Sequence, residues 1–171
     1  WFMVKSGLSE RTSVRHFRLA AHLSLAPEIL AYCVWLTRSV MNAGKTVNAD
    51  SRLASDEAAA DFIRPKFKIL AVLFILQIIY GAFVAGMNAG KAFNTFPLMA
   101  GSLIPGNLLE LEPTWTNLFN NPATVQWIHR SLGWTVFLLA NGLWISLRVK
   151  KFPRSRVRIW TTALAHMTVV Q

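Results

Sequence analysis

Residues 69–87 read ILAVLFILQIIYGAFVAGM, a run of nineteen residues without a charged side chain. A helix needs about 20 mostly apolar residues to cross the roughly 30 Å of hydrocarbon in a bilayer. The stretch therefore predicts a transmembrane helix. Because soluble domains rarely contain such a run, it also sets the fold class.

Two further blocks of this kind flank it. Leu19–Leu36 contains one charge, Glu28, and Val125–Leu147 contains only His129 and Arg130 near its start. They predict two more spans, the earlier one extending from about Phe17 to Val40. Apolar residues make up 53% of the 171 positions and charged residues 15%, against about 25% in a typical soluble domain. We expect an all-α membrane protein, a transmembrane helix bundle.

The two ends of the sequence are apolar as well. Val157–Gln171 is apolar up to its last residues, and Trp1–Val4 resembles the end of an earlier span. The interpretation is a fragment with three complete spans and one partial span, with further spans outside it.

The net charge of +10 raises the possibility of a nucleic-acid partner, but its placement favours a membrane topology. The connection Asn88–Thr124, here named the outer connection, contains one basic residue, Lys91. Twelve basic residues lie in the other two connections, and this asymmetry places those two on the cytoplasmic or matrix side. They are Arg38, Lys45, Arg52, Arg64, Lys66, Lys68, Arg148, Lys150, Lys151, Arg154, Arg156 and Arg158. We expect no nucleic acid.

The connections differ in character. Met41–Asp61 is polar and is expected to be mobile. The outer connection is too apolar for a floppy loop, so we expect an ordered cap with a short helix around Gly106–Leu111. On the second span, small residues recur every four positions and predict close helix packing rather than ligand contact. These rows are Gly81, Ala85 and Ala89, and Ala82, Gly86 and Gly90.

Two histidines stand about one turn into spans that enter from the same side. His22 and His129 therefore lie at similar depth, and each has an arginine and a small residue nearby: Arg18 and Ala26, and Arg130 and Gly133. An imidazole can bind haem iron, a small residue leaves room for the ring, and guanidinium suits propionates. The alternative is that each histidine makes an interhelical hydrogen bond.

The other histidines predict less. His16 lies in a polar segment and is expected to be solvated. His166, on the last block, is interpreted as a packing residue or a proton-accessible polar group. The single cysteine, Cys33, excludes a disulfide framework within this sequence.

Five motifs together resemble the haem A synthase family. They are Trp1-Phe-Met-Val-Lys-Ser-Gly-Leu8, Arg18-Leu-Ala-Ala-His22-Leu23, Gly81-Ala-Phe-Val-Ala-Gly-Met-Asn-Ala-Gly90, Asn94-Thr-Phe-Pro-Leu-Met99 and Asn121-Pro-Ala-Thr-Val-Gln-Trp-Ile-His129-Arg130. The resemblance extends over the whole sequence. It weakens at Met41–Asp61 and after Leu147.

The resemblance implies an eight-helix protein of two pseudo-symmetric four-helix bundles. Such enzymes oxidise a methyl group of haem O to the formyl group of haem A for cytochrome c oxidase. Residues 1–61 would belong to the N-terminal bundle and residues 62–171 to the C-terminal one. His22 would ligate iron in the substrate bundle and His129 the iron of haem b, with Arg18 and Arg130 on the propionates. The catalytic glutamate and the partner histidines would lie outside this sequence.

The implied partners are haem O, the lipid bilayer, an electron donor such as a ferredoxin system, haem O synthase and further copies of the chain. The basic linker and the Asn-Pro-Ala-Thr block resemble the mitochondrial branch. They favour the mitochondrial inner membrane over a bacterial plasma membrane. Two alternatives stay open: a bis-histidine cytochrome that only passes electrons, and a transporter with Glu28 and His22 on a proton path.

Overall fold

A computed structural model describes residues 16–43, 51–152 and 156–170, with only the backbone of residues 51–56. Three long helices dominate these residues: α1 (His16–Asn42), α2 (Ser51–Gly86) and α5 (Pro122–Val149). Short helices α3 (Ala89–Ala92) and α4 (Asn117–Asn120) lie in the outer connection. Helix α6 (Arg156–Val170) follows α5. The motif at residues 1–8 lies outside the described residues.

The three predicted spans are confirmed as helices long and apolar enough to cross a membrane. The candidate membrane spans are His16–Asn42, Glu57–Gly86 and Pro122–Val149. The all-α membrane fold is therefore confirmed. Helix α6 has fifteen residues. The division into two bundles stays a prediction, and its boundary at residues 61 and 62 falls inside α2.

Two local predictions were wrong. The linker Met41–Asp61 was expected to be mobile, yet its last eleven residues, Ser51–Asp61, are the start of α2. Alanine and acidic residues there favour a helix, and the helix continues into the apolar run. The short helix expected at Gly106–Leu111 is a turn. The helical turns lie further on, at Thr114–Thr116 and in α4.

The described residues form two compact units. The first comprises those of Trp1–Leu36 and Ile75–Leu132, and the second those of Thr37–Phe74 and Gly133–Gln171. In the first unit, Ala20, Ala82, Phe83 and Val125 form a buried apolar cluster, with Phe119 of the outer connection packed against it. In the second, the cluster joins α2 and α5: Leu70, Val136, Ala140 and Leu143.

In the first unit, α1 and α2 pack closely at Gly86, which belongs to the predicted row Ala82, Gly86 and Gly90. A Cβ placed on Gly86 would lie 2.7 Å from the Cα of His16. Only a glycine lets the start of α1 approach α2 this closely. Ala82 and Ala89 are fully buried. The small residues thus hold the two helices together, as expected.

Candidate functional site

His129 lies on the face of α5 that packs against α2. A Cβ placed on Gly81 would lie 3.0 Å from Cε1 of His129, 3.6 Å from Nδ1 and 3.8 Å from Nε2. The imidazole therefore rests against the glycine backbone, and any larger side chain would push it away. One small residue thus accommodates a candidate ligand, a role that the packing interpretation of these rows did not foresee.

His22 has different surroundings. The half-buried or buried positions of its helix are His16, Leu19, Ala20, Ser24 and Pro27, which share one face of α1. His22 lies outside that face and is exposed, as are Arg18 and Glu28. Among the described residues, His129 therefore lies in the interface between α2 and α5, whereas His22 lies on an exposed face of α1.

Arg130 fastens the outer connection to α5. Its guanidinium donates to the backbone carbonyls of Phe93 at 2.7 Å and Leu98 at 3.2 Å. A guanidinium has five N–H donors. Two of them hold the connection, and the others can still meet a carboxylate. These two bonds fix the position of Arg130, which follows the candidate ligand His129 in the sequence.

Three side chains at the start of α5 bind backbone carbonyls of residues 103–108 in the outer connection. Trp127 donates its indole N–H to the carbonyl of Leu103 at 3.2 Å, and the hydroxyl of Thr124 donates to the carbonyl of Leu108. The amide of Asn121 donates to the carbonyl of Asn107 at 2.8 Å. These bonds tie this part of the connection to the start of α5, and its role as an ordered cap stays a prediction.

Asn121 also starts the helix. Its side-chain oxygen accepts the backbone N–H of Ala123 at 2.9 Å, which is the usual N-cap interaction, and Pro122 occupies the first helical position. Behind it, the fully buried Asn117 exchanges hydrogen bonds with the backbone of Leu111, at 2.8 Å and 3.0 Å. The Asn-Pro-Ala-Thr motif is therefore a helix start and a loop anchor at once.

Among the described residues of the first unit, five buried polar atoms have no hydrogen-bond partner. They are His16 Nε2, Ser24 Oγ, Gln77 Oε1, Gln126 Oε1 and His129 Nδ1. Buried polar groups are normally paired, so each such atom calls for an explanation such as a bound polar group. The imidazole of His129, with an unpartnered nitrogen, a glycine beneath it and Arg130 beside it, fits an axial ligand for haem.

Four of these residues, His16, Ser24, Gln77 and Gln126, were not foreseen as parts of a site. Gln77 and Gln126 lie one turn from Gly81 and three residues from His129, respectively. For Gln77, the available signal was a lone glutamine within an uncharged apolar span. His16 was expected to be solvated, and that prediction was wrong. Its ring stacks on Phe17 at 4.2 Å and meets the edge of Phe83 at 5.5 Å, because the α1–α2 contact covers it.

His166 stays apart from this group. It is exposed on α6, with Nδ1 2.8 Å from the carbonyl of Thr162 one turn earlier. Within the described residues, no three His, Cys, Asp or Glu side chains are grouped so that they could hold a metal ion. A haem site needs no such group, since the macrocycle supplies four of the iron ligands and imidazole the axial one.

Comparison with known proteins identifies the family. The model of the family described as cytochrome oxidase assembly protein matches residues 1–171. The chain belongs to the cytochrome oxidase assembly protein family. The resemblance to haem A synthases read from the five motifs is thereby confirmed.

Curated relatives in this family carry the name heme A synthase. Those of Agrobacterium fabrum and Allorhizobium ampelinum are 46% identical over 144 and 140 residues, covering 84% and 82% of this chain and 36% of theirs. That of Nitrosospira multiformis is 39% identical over the whole chain and 46% of its own length. The chain thus spans less than half of these family members. No solved structure matches it significantly.

Proposed function

We propose that this chain is part of a haem A synthase, a membrane oxidoreductase that converts a methyl group of haem O to the formyl group of haem A for cytochrome c oxidase. The relatives that carry this name support the activity. The structural observation that carries the proposal is the packing of His129 on Gly81 with Arg130 beside it. The activity belongs to the whole protein, of which this chain is about 36–46% by the length of its relatives.

The two histidines have different roles in this proposal. His129 would hold the iron of haem b, and His22 would hold the iron of the substrate, haem O. A haem bound at His129 supplies reversible one-electron chemistry. Arg130 and Arg18 neutralise propionates, for which a guanidinium is suited because it donates two parallel hydrogen bonds to a carboxylate. The partner histidines and the catalytic glutamate are assigned to other parts of the protein.

The residues around His129 orient and enclose it. Gly81 packs against the ring of His129 and limits its position. Arg130 is held by two carbonyls of the outer connection, so its charge does not need to be ordered when an anionic group binds. Pre-ordering of this kind lowers the entropic cost of binding.

The membrane proposed for the protein is the bacterial plasma membrane. The relatives cited above are bacterial, and they favour this alternative over the mitochondrial inner membrane expected from the motifs. Haem O synthase, an electron donor such as a ferredoxin system and further copies of the chain are proposed as partners.

The test uses the full-length protein in a strain that lacks haem A synthase. The wild type should restore haem A, measured by chromatography of extracted haems. The double variant His22→Ala/His129→Ala should not, while His166→Ala should match the wild type. Bound haem without any haem A would overturn the proposal and indicate a cytochrome that only passes electrons. A haem-free protein would favour the transporter.

A further inference from the structure

A cluster of two cations and one aromatic ring in the second unit has no part in the proposed reaction. The ammonium groups of Lys66 on α2 and Lys150 just after α5 lie 3.8 Å and 4.6 Å from the centre of the Phe62 ring. We name these three residues, Phe62, Lys66 and Lys150, the basic–aromatic cluster. It joins the start of one span to the end of another.

Within the described part of the chain, no carboxylate forms an ion pair with Lys66 or Lys150. Two ammonium groups lie within 5 Å of the centre of one ring, and like charges repel each other. The nearby ion pair among the described residues joins Arg64 to Asp61 at 3.2 Å, so that carboxylate is engaged elsewhere. Lys66 also donates to the carbonyl of Phe62 at 2.8 Å, a neutral partner. A small anion between the two lysines would relieve the repulsion.

The position of the cluster along the spans selects the kind of anion. Lys66 precedes the apolar run at Ile69 by three residues, and Lys150 follows Leu147 by three. Both lie where hydrocarbon gives way to headgroups, the level at which phospholipid phosphates and aromatic side chains reside. Positive-inside asymmetry makes this the cytoplasmic side, whose leaflet carries anionic lipids.

Apolar surface continues from the cluster toward the hydrocarbon. Ile69 and Val72 on α2, which follow Lys66 toward the hydrocarbon, are 59% and 57% exposed. A free phosphate has no use for such surface, whereas acyl chains would cover it. We propose that the basic–aromatic cluster binds the phosphate of an anionic phospholipid of the cytoplasmic leaflet, with its acyl chains along this apolar surface.

The test is native mass spectrometry of the full-length protein in detergent, titrated with phosphatidylglycerol. Each lysine near the surface contributes about 1 kcal/mol to binding of an anionic lipid, so Lys66→Gln/Lys150→Gln should weaken the tightest adduct about thirtyfold. Lys150→Gln alone, at a position beyond the helix end, should weaken it about fivefold. This single variant keeps the test available if the double variant fails to fold.

The matched control is Lys68→Gln, which removes the same charge two residues from Lys66 at an exposed position. It should leave the adduct within about twofold of the wild type. Equal losses in Lys68→Gln and Lys150→Gln would reduce the site to a diffuse positive field and overturn the proposal. So would equal binding of phosphatidylcholine, or displacement of the lipid by inorganic phosphate at the same concentration.

Discussion

The sites around His129 and His22 look alike in sequence and differ in structure. Each histidine has an arginine and a small residue nearby, and each lies about one turn into its span. Yet the ring of His129 rests on Gly81 of a neighbouring helix, while His22 is exposed on α1. Local sequence therefore defines a candidate ligand, and the facing helix determines how firmly it is held. The predictions below test this difference.

The largest expected effect separates the two histidines. In the full-length protein, His129→Ala should lose the tightly bound b-type haem and its low-spin spectrum, because alanine offers no axial ligand. His22→Ala should retain much of that spectrum yet fail to form haem A. The measurements are a reduced-minus-oxidised spectrum and chromatography of extracted haems, with His166→Ala as the control. Normal haem A in both variants would contradict the assignment.

The second prediction concerns the arginine beside His129. Charge-assisted hydrogen bonds contribute roughly 1.5–3 kcal/mol, so Arg130→Leu should weaken haem retention roughly tenfold or more. Arg158→Leu is the matched control, because Arg158 likewise donates to a backbone carbonyl, that of Phe152 at 2.9 Å. Haem retention is measured by transfer to an apo-haem acceptor protein. Equal transfer rates for the two variants would make Arg130 a loop anchor only.

The third prediction tests the glycine beneath the ring. Gly81→Ala places a Cβ 3.0 Å from Cε1 of His129, closer than most carbon contacts, and the cost of such overpacking is about 1–3 kcal/mol. The haem-to-protein ratio should fall and the haem spectrum should shift. Gly90→Ala is the control, since its Cβ would meet only Val84 at 3.8 Å, an ordinary contact. An unchanged spectrum in Gly81→Ala would mean that the ring does not depend on this contact.

The smallest effect is expected from the helix cap. Asn121→Ala removes the N-cap of α5 and the bonds to the outer connection, at a cost of about 1–2 kcal/mol. Protease cleavage within the outer connection should become faster. In Asn107→Ala the backbone carbonyl that accepts the bond remains, so cleavage should stay at the wild-type rate. If cleavage rates match in both variants, the anchor lies elsewhere.

Much of the fold was predictable, because hydrophobic length alone identifies spans. The runs at Phe17–Val40, Ile69–Met87 and Val125–Leu147 predicted three helices that the structure contains. The start of α2 was missed because Ser51–Asp61 is polar and its helix depends on weak propensity and on continuity with the span. The turn at Gly106–Leu111 was missed because its conformation depends on side chains far along the chain, such as Asn121.

The candidate site was predictable only in part. His129 and Arg130 were identified from their type and depth, and the structure adds what holds them. That Gly81 receives the imidazole depends on which faces of α2 and α5 meet, and residue spacing within one helix does not specify that. The burial of His16 has the same origin, since Gly86 draws the start of α1 onto α2. Contacts between helices are the information that a single sequence lacks.

The position of Asn121 has a consequence for biosynthesis. A chain is made from its N-terminus, so residues 88–120 are synthesised before Asn121 and α5 exist. Until then, the carbonyls of Asn107 and Leu108 have no amide of Asn121 to bind, and water takes its place. The outer connection can close only after the helix that begins at Pro122 has formed. A chain stalled before Asn121 is made therefore lacks these two hydrogen bonds, although bonds within the segment, such as those between Asn117 and Leu111, can already form.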